Sequence, residues 1–307
     1  MAVGRPLRYV PEDTLVEVTS RTLHGRFLLK PDPLLNEIVI GALARALRRY
    51  EVQCCFFVAA SNHFHGLLIP KDARELARFM GYFNSKIARE AGRLYGWGEK
   101  IFPRRYQAIV VTGEPSAQIA RLKYSLSHGV KENLVERVEE WPGVHGVHSL
   151  LTGEPMTGIW RDRTGEYFAR RRGKEIEPRQ FVTTETLTLA PLPCWKDLPP
   201  EKRQELAAGL VKEIDEEAAA ERARTGKSPL GRAGVLAQHP HDHPERPKKS
   251  PAPLVHAASK AFRLEFRQYY AAFVADFREG AEKLKRGDLA APFPPGSFPP
   301  ALPFVGG

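Results

Sequence analysis

The sequence predicts an α+β fold: a ferredoxin-like, split β-α-β antiparallel sheet with helices on one face, followed by a mostly helical, loop-rich C-terminal region. Three observations predict it. Residues 52–59 and 63–69 are apolar runs of strand length joined by a short Ala60-Ser61-Asn62 link, which reads as a hairpin. A stretch of helix length with a single apolar stripe stands on each side of that hairpin, at 33–50 and 72–92. A further strand-length run at 106–111 completes the order β-α-β-β-α-β.

Taken in order, the first strand is Leu15 to Arg21, alternating through Val16 and Val18. A loop through Gly25 leads to a helix from Pro33 to Tyr50, with Asp32 as its N-cap and Leu34, Leu35, Ile38, Ile40, Leu43 and Leu47 on its stripe. The hairpin follows. The second helix starts at the Asp72 cap and turns Leu76, Phe79, Met80, Phe83 and Ile87 inward. After the glycine-rich Tyr95-Gly96-Trp97-Gly98 comes the fourth strand, Tyr106 to Val111; Gly113 and Pro115 then break the chain, and a third helix runs from Ser116 to about Val138.

Composition bounds the function. The chain has 307 residues, 42% hydrophobic and 27% charged, which describes a globular protein with a full core. The net charge of +10 and a pI near 9.6 favour polyanionic partners, nucleic acid first. Cys54, Cys55 and Cys194 are too few for a disulfide framework or a zinc site, so a reducing cytoplasmic setting is expected. There is no apolar run long enough to cross a bilayer and no signal-peptide pattern, so no membrane association is expected.

The chemistry concentrates in Ser61-Asn62-His63-Phe64-His65-Gly66. Along a strand His63 and His65 point to one face, about 7 Å apart at Cα, close enough to share one cation. Polar rings inside an apolar hairpin carry a desolvation cost that calls for a reason. On the third helix Ile119, Leu122 and Leu126 form the packing stripe, while Arg121, Tyr124 and His128 share the opposite side.

The stretch from Ser61 to Leu68 resembles the His-hydrophobic-His signature of single-tyrosine HUH transposases, and is most similar to the REP-associated tyrosine transposase group, in which an Asn precedes the first His. Asn84 to Arg89 with Gly92 and Arg93, then Ile101 to Tyr106, resemble that group's linker into its last strand. Lys123 to Val130 is similar to the segment carrying the family's nucleophilic tyrosine. The resemblance covers about residues 8–150. Two positions depart from it: His128 stands where the family has Asn or Gln, and Gly129 where it has Pro.

The resemblance implies an HUH endonuclease domain over 1–150, acting on single-stranded or hairpin DNA as a monomer or homodimer. Tyr124 would be the nucleophile, attacking a phosphodiester to leave a 5′-phosphotyrosine and a free 3′-OH. Such a covalent step keeps the bond energy for rejoining the strand. A divalent Mg²⁺ or Mn²⁺ on His63 and His65 would offset charge on the phosphate, with His128 as the candidate third ligand. Lys86, Arg89, Arg93, Arg104, Arg105, Arg121 and Lys123 are the candidate phosphate contacts, and Tyr95, Trp97 and Tyr106 the candidate base-stacking rings. The alternatives are a DNA-binding regulator of the same fold that does not cleave, a domesticated transposase, and, third, a replication initiator sharing the chemistry.

Residues 151–307 read as an accessory region. It has a strand-like run from Thr183 to Leu189, helices near 201–224 and 256–286, and a Pro-rich extended tail at 288–307. Thr225 to Pro253 reads as an exposed loop, its prolines arguing against a strand carrying His239, His241 and His243. Tyr269-Tyr270 lies on the aromatic stripe of the last helix with no metal-binding motif beside it in sequence.

Overall fold

A computed structural model of the chain describes residues 6–173, 175–245 and 253–300. The strands are β1 (Val16–Arg21), β2 (Val52–Ala60), β3 (His63–Pro70), β4 (Gln107–Val111), β5 (Met156–Arg161), β6 (Val182–Leu187) and β7 (Val255–His256). The α-helices are α1 (Pro33–Arg49), α2 (Ala73–Tyr95), α3 (Pro115–Leu126), α4 (Val147–Thr152), α5 (Arg163–Arg171), α6 (Pro200–Thr225), α7 (Gly231–Ala237) and α8 (Lys260–Lys285). Both expected N-caps form. Asp32 accepts from the Leu35 N–H at 3.0 Å and Asp72 from the Glu75 N–H at 2.7 Å, each worth about 1 kcal/mol.

The fold is α+β around a five-stranded sheet of order β2-β3-β1-β4-β7. The first four strands pair antiparallel, and β7 adds to β4 in parallel. The sheet is therefore mixed where a wholly antiparallel one was expected. A long crossover returns the chain to the β4 edge, and such a return permits parallel pairing.

Helices cover both faces, not one. Val16, Val18, Phe57, Phe64, Leu68 and Val110 pack with Leu35, Leu43, Leu76, Phe79 and Phe83 of α1 and α2. On the other face Leu15, Phe56, Val58, Leu67 and Val111 pack with Leu122 and Leu126 of α3 and Val211 and Ile214 of α6. Strand alternation makes this division, since neighbours such as Phe56 and Phe57 enter opposite cores.

α3 stops at Leu126, well before Val138. Gly129 takes φ +91°, and a Cβ there would come within 2.8 Å of the Trp141 ring, so the chain turns where only glycine fits. His128 thus sits in the turn just past the helix. The β5–β6 hairpin lies against α1 through Gly41 and Gly158, where a Cβ on either would collide with the facing backbone. α8 begins at Lys260 rather than 256 because Ser259 caps it, its Oγ accepting from the Phe262 N–H at 3.2 Å, while Val255–His256 belong to the sheet. The loop expected over 225–253 contains α7, and its residues 246–252 lie outside the described residues. The Pro-rich tail straps back as far as residue 300: Val10 N–H donates to the Gly296 carbonyl at 2.9 Å and Phe293 packs on Phe277. Residues 301–307 lie outside the described residues. None of the helices among the described residues is long and apolar enough to cross a membrane.

Candidate active site

β3 separates two environments by one residue. Phe64 and Leu68 enter the α1–α2 core, while His63 and His65 project to the face that α3 covers. The turn after α3 brings His128 over them. One ring nitrogen from each of His63, His65 and His128 lies within 4.8 Å of the others. The rings are close-packed, with centroids 5.1 Å apart for His63–His65, 5.3 Å for His63–His128 and 4.3 Å for His65–His128.

Each imidazole is anchored through Nδ1. His63 Nδ1 lies 2.7 Å from Asn62 Oδ1, and the Asn62 amide is oriented by donating to the Gly25 carbonyl at 3.0 Å. His65 Nδ1 lies 2.7 Å from Glu17 Oε1. His128 Nδ1 lies 3.1 Å from the Ser125 carbonyl. The partners of His63 and His65 are acceptors, so the proton is assigned to Nδ1 in those two rings and their Nε2 lone pairs remain. At His128 the Ser125 carbonyl accepts from Nδ1, and the Lys131 ammonium lies 3.2 Å from the same atom. Burial, the largest cause, lowers the pKa of all three, and their mutual proximity lowers those of His63 and His128 further. Three neutral imidazoles with tethered Nδ1 atoms are a donor set that fits a divalent transition metal. Lys131 meets the same group, its Nζ 3.1 Å from His128 Nε2.

Tyr124 stands at the rim on the last turn of α3, 42% exposed. Its ring is 5.2 Å from His128 and 5.7 Å from His65. The Arg121 guanidinium lies 3.5 Å from the ring centroid and the Lys131 ammonium 3.3 Å from it. Burial raises the phenol pKa; Arg121 opposes the rise and Glu17 adds to it, with a net upward shift.

Beneath the histidines lies Glu17 of β1, 2% exposed. Its Oε1 accepts from His65 and forms an ion pair with the Arg121 guanidinium at 3.1 Å; its Oε2 accepts from His256 Nε2 at 2.7 Å. Burial pushes this carboxyl up, but the hydrogen bonds from His256 and His65 and the neighbouring positive charge outweigh it and hold the group well below the usual carboxylate range. Sequence reasoning missed Glu17 and His256. The one local signal was Val16-Glu17-Val18, a carboxylate set inside an apolar strand.

The basic candidates divide. Arg121 is at the centre, against Glu17 and Tyr124. Lys123 is tied to Glu213 and Glu217 of α6 at 2.7 and 2.8 Å. Lys86, Arg89 and Arg93 are on α2, the helix that packs on the opposite sheet face. Lys86 is buried and donates to the Arg161 carbonyl, Arg93 pairs with Glu90, and Arg89 is exposed. Arg104 and Arg105 are exposed beside β4, and Arg105 donates to the Pro6 carbonyl. Of the aromatic candidates, Tyr106 is buried beneath Arg8, and Trp97 contacts Arg26 and His241. Tyr269 and Tyr270 are engaged elsewhere, Tyr269 against Tyr9 and Tyr270 donating to the Leu7 carbonyl.

No family model and no curated protein matches the chain. Among solved structures it is similar to a REP-associated tyrosine transposase bound to a REP hairpin, at 17% identity and a TM-score of 0.38, over 49% of this chain and 85% of that one. It is also similar to a candidate transposase from Deinococcus radiodurans R1, at 18% identity and a TM-score of 0.28, over 41% of this chain and 98% of that one. At these values function has to be argued from the site.

Proposed function

We propose that the chain is a tyrosine-nucleophile DNA transesterase of the HUH transposase type, built on a ferredoxin-like module over residues 1–150. The observation that carries this reading is the convergence of His63, His65 and His128 beside the exposed edge of Tyr124. A cation-binding centre within ring contact of an accessible phenol has the parts that phosphodiester transfer needs. The β2-β3-β1-β4 strand order is the one a split β-α-β module adopts. The likeness to transposases agrees with the reading without carrying it.

A divalent cation on the three Nε2 atoms would supply Lewis acidity to a non-bridging phosphate oxygen. The chain does the rest. Asn62, Glu17 and the Ser125 carbonyl fix the ring orientations. Tyr124 Oη attacks phosphorus, the P–O3′ bond breaks, and a 5′-phosphotyrosine and a free 3′-OH result; the phenol proton ends on the departing 3′-oxygen. The phenol is protonated at neutral pH, and Arg121 and Lys131 against its ring offset the negative charge as it develops. The substrate class is single-stranded DNA bearing a hairpin.

Incubating the full chain with single-stranded hairpin DNA and Mn²⁺ and resolving the products on a denaturing gel tests the reading. The wild type is expected to form a covalent adduct and Tyr124→Phe none, since that change removes one oxygen and almost no volume. Adduct persisting in Tyr124→Phe, or mapping to another tyrosine, refutes it.

A further inference from the structure

We propose that His256, from the far C-terminal part of the chain, is a positioning residue for the three-histidine centre: it fixes Glu17, and through Glu17 it fixes His65 and Arg121. The inference deepens the metal-centre reading and rests on it.

Geometry carries it. Glu17 is a buried carboxylate in the middle of the sheet, and such a group demands compensation on both oxygens. His65 and Arg121 occupy Oε1, and within hydrogen-bond distance His256 is the described residue on Oε2. If Oε2 loses its donor, the carboxylate gains a reason to rotate toward Arg121 or toward water. His65 then loses the acceptor that holds its proton on Nδ1 and aims Nε2 at the other two rings. Partners behind a ligating histidine typically change metal affinity about 10–100-fold when removed.

His256 is placed rigidly enough for this role. Its backbone pairs with Val111 in the parallel β4–β7 ladder, and its carbonyl accepts from the Thr112 N–H at 2.9 Å. Two residues on, the Glu114 carboxylate accepts from the Ala258 and Ser259 N–H groups at 3.0 and 3.1 Å, tying the entry of α8 to the start of α3. Strand β7 is only two residues long, and Val255 is the one that fills the apolar core. The other residue delivers its ring to the active face. His256 thus brings a side chain of the C-terminal region to the carboxylate beneath the centre.

The test uses the full chain and Mn²⁺ alone, titrated by electron paramagnetic resonance well below the melting temperature. His256→Leu is expected to weaken Mn²⁺ binding about tenfold or more. His256→Gln, whose amide N–H can still donate to Glu17, is expected to stay within about twofold of wild type. In a Glu17→Gln background His256→Leu should cost little further, because the two act in series. Wild-type Mn²⁺ affinity in His256→Leu, with only a lowered melting temperature, overturns the proposal, as does strict additivity with Glu17→Gln. If His256→Leu does not fold, Glu17→Gln replaces it, and wild-type affinity there overturns the proposal equally. A wild-type chain that binds no Mn²⁺ removes both the centre and the relay. A chain that binds Mn²⁺ through the relay yet forms no DNA adduct keeps the relay and removes the transesterase reading.

Discussion

The two sides of β3 differ as much as any two regions of this molecule, although they alternate residue by residue. Phe64 faces α2, 1% exposed, edge-on to Phe83 at 5.4 Å and tilted against Phe57 at 5.4 Å. His63 and His65 face α3, each tied through Nδ1 to an acceptor. One side is held by burial, which is non-directional and forgiving of small shifts. The other is held by directed hydrogen bonds, which specify which nitrogen points where. A single strand can therefore carry stability and chemistry as separable properties.

The largest expected effect breaks that comparison outright. His63→Ala or His65→Ala should abolish adduct formation while leaving hairpin binding largely in place, because binding rests on phosphate contacts. Phe64→Ala should do the reverse: a loss of about 3–5 kcal/mol of folding stability, with cleavage retained by the molecules that remain folded. Denaturant melts and the adduct assay on the same three variants decide. Cleavage by His65→Ala at the wild-type level would sink the metal-centre reading.

How much of this was visible in the sequence depends on the range of the contact. The hairpin, α1 and α2 with their aspartate caps, and the His63/His65 pair are local, and periodicity exposes them. Tyr124 and His128 were legible as an i, i+4 pair, although the helix ends between them. Glu17–His256 spans 239 positions through a two-residue parallel strand, and no local pattern encodes such pairing. Lys86 shows the converse failure. On a charged helix it reads as a surface cation, but Glu90, Trp160 and the Arg161 carbonyl enclose it. On the second face the packing stripe of α3 was legible, but the contribution of α6 was not, since α6 reads as an ordinary charged helix until Val211 and Ile214 meet α3.

Acid should distinguish the two supports next. His145 is buried near the start of α4. Its Nε2 donates to the Leu126 carbonyl and its Nδ1 accepts from the Val147 N–H, a fully satisfied neutral ring. Burial pushes its pKa down to about 4 from 6.5. The unfolded chain therefore takes up a proton that the folded chain refuses. The associated stability is complete above pH 6.5 and is lost as pH falls toward 4, by about 2 kcal/mol at pH 5. Urea melts at pH 7 and pH 5 should show that His145→Gln, less stable at pH 7, loses about 2 kcal/mol less than wild type on acidification. Equal losses would remove His145 as a source of acid sensitivity.

Metal choice is a smaller effect and sharpens the directed side of the comparison. Three imidazoles are a poor set for Mg²⁺, which prefers oxygen, and a better one for Mn²⁺. Mn²⁺ should bind at least about tenfold more tightly than Mg²⁺ in competition titrations. The Lys131 ammonium at His128 Nε2 is expected to yield to the cation, so Lys131→Met should tighten Mn²⁺ binding. Equal affinity for the two ions would indicate that the third imidazole does not take part.

The smallest effect concerns cations that differ only in their partners. Arg21 ends β1 directly opposite His63 in the β1–β3 register and is exposed. Its charge is near enough to be among the causes that lower the His63 pKa, after burial and His65, and it makes no ion pair among the described residues. Lys123 lies on the helix that carries Tyr124, but Glu213 and Glu217 neutralise it. A cation that contacts a DNA phosphate releases about one counterion, whereas a cation already paired within the protein releases little. Arg21→Gln should therefore weaken hairpin binding by a few-fold and reduce the slope of log affinity against log salt by about one. Lys123→Gln should leave both nearly unchanged. Binding isotherms at three salt concentrations separate the two. A slope that falls for Lys123→Gln and not for Arg21→Gln would place the DNA path along α6, away from the His63 edge of the sheet.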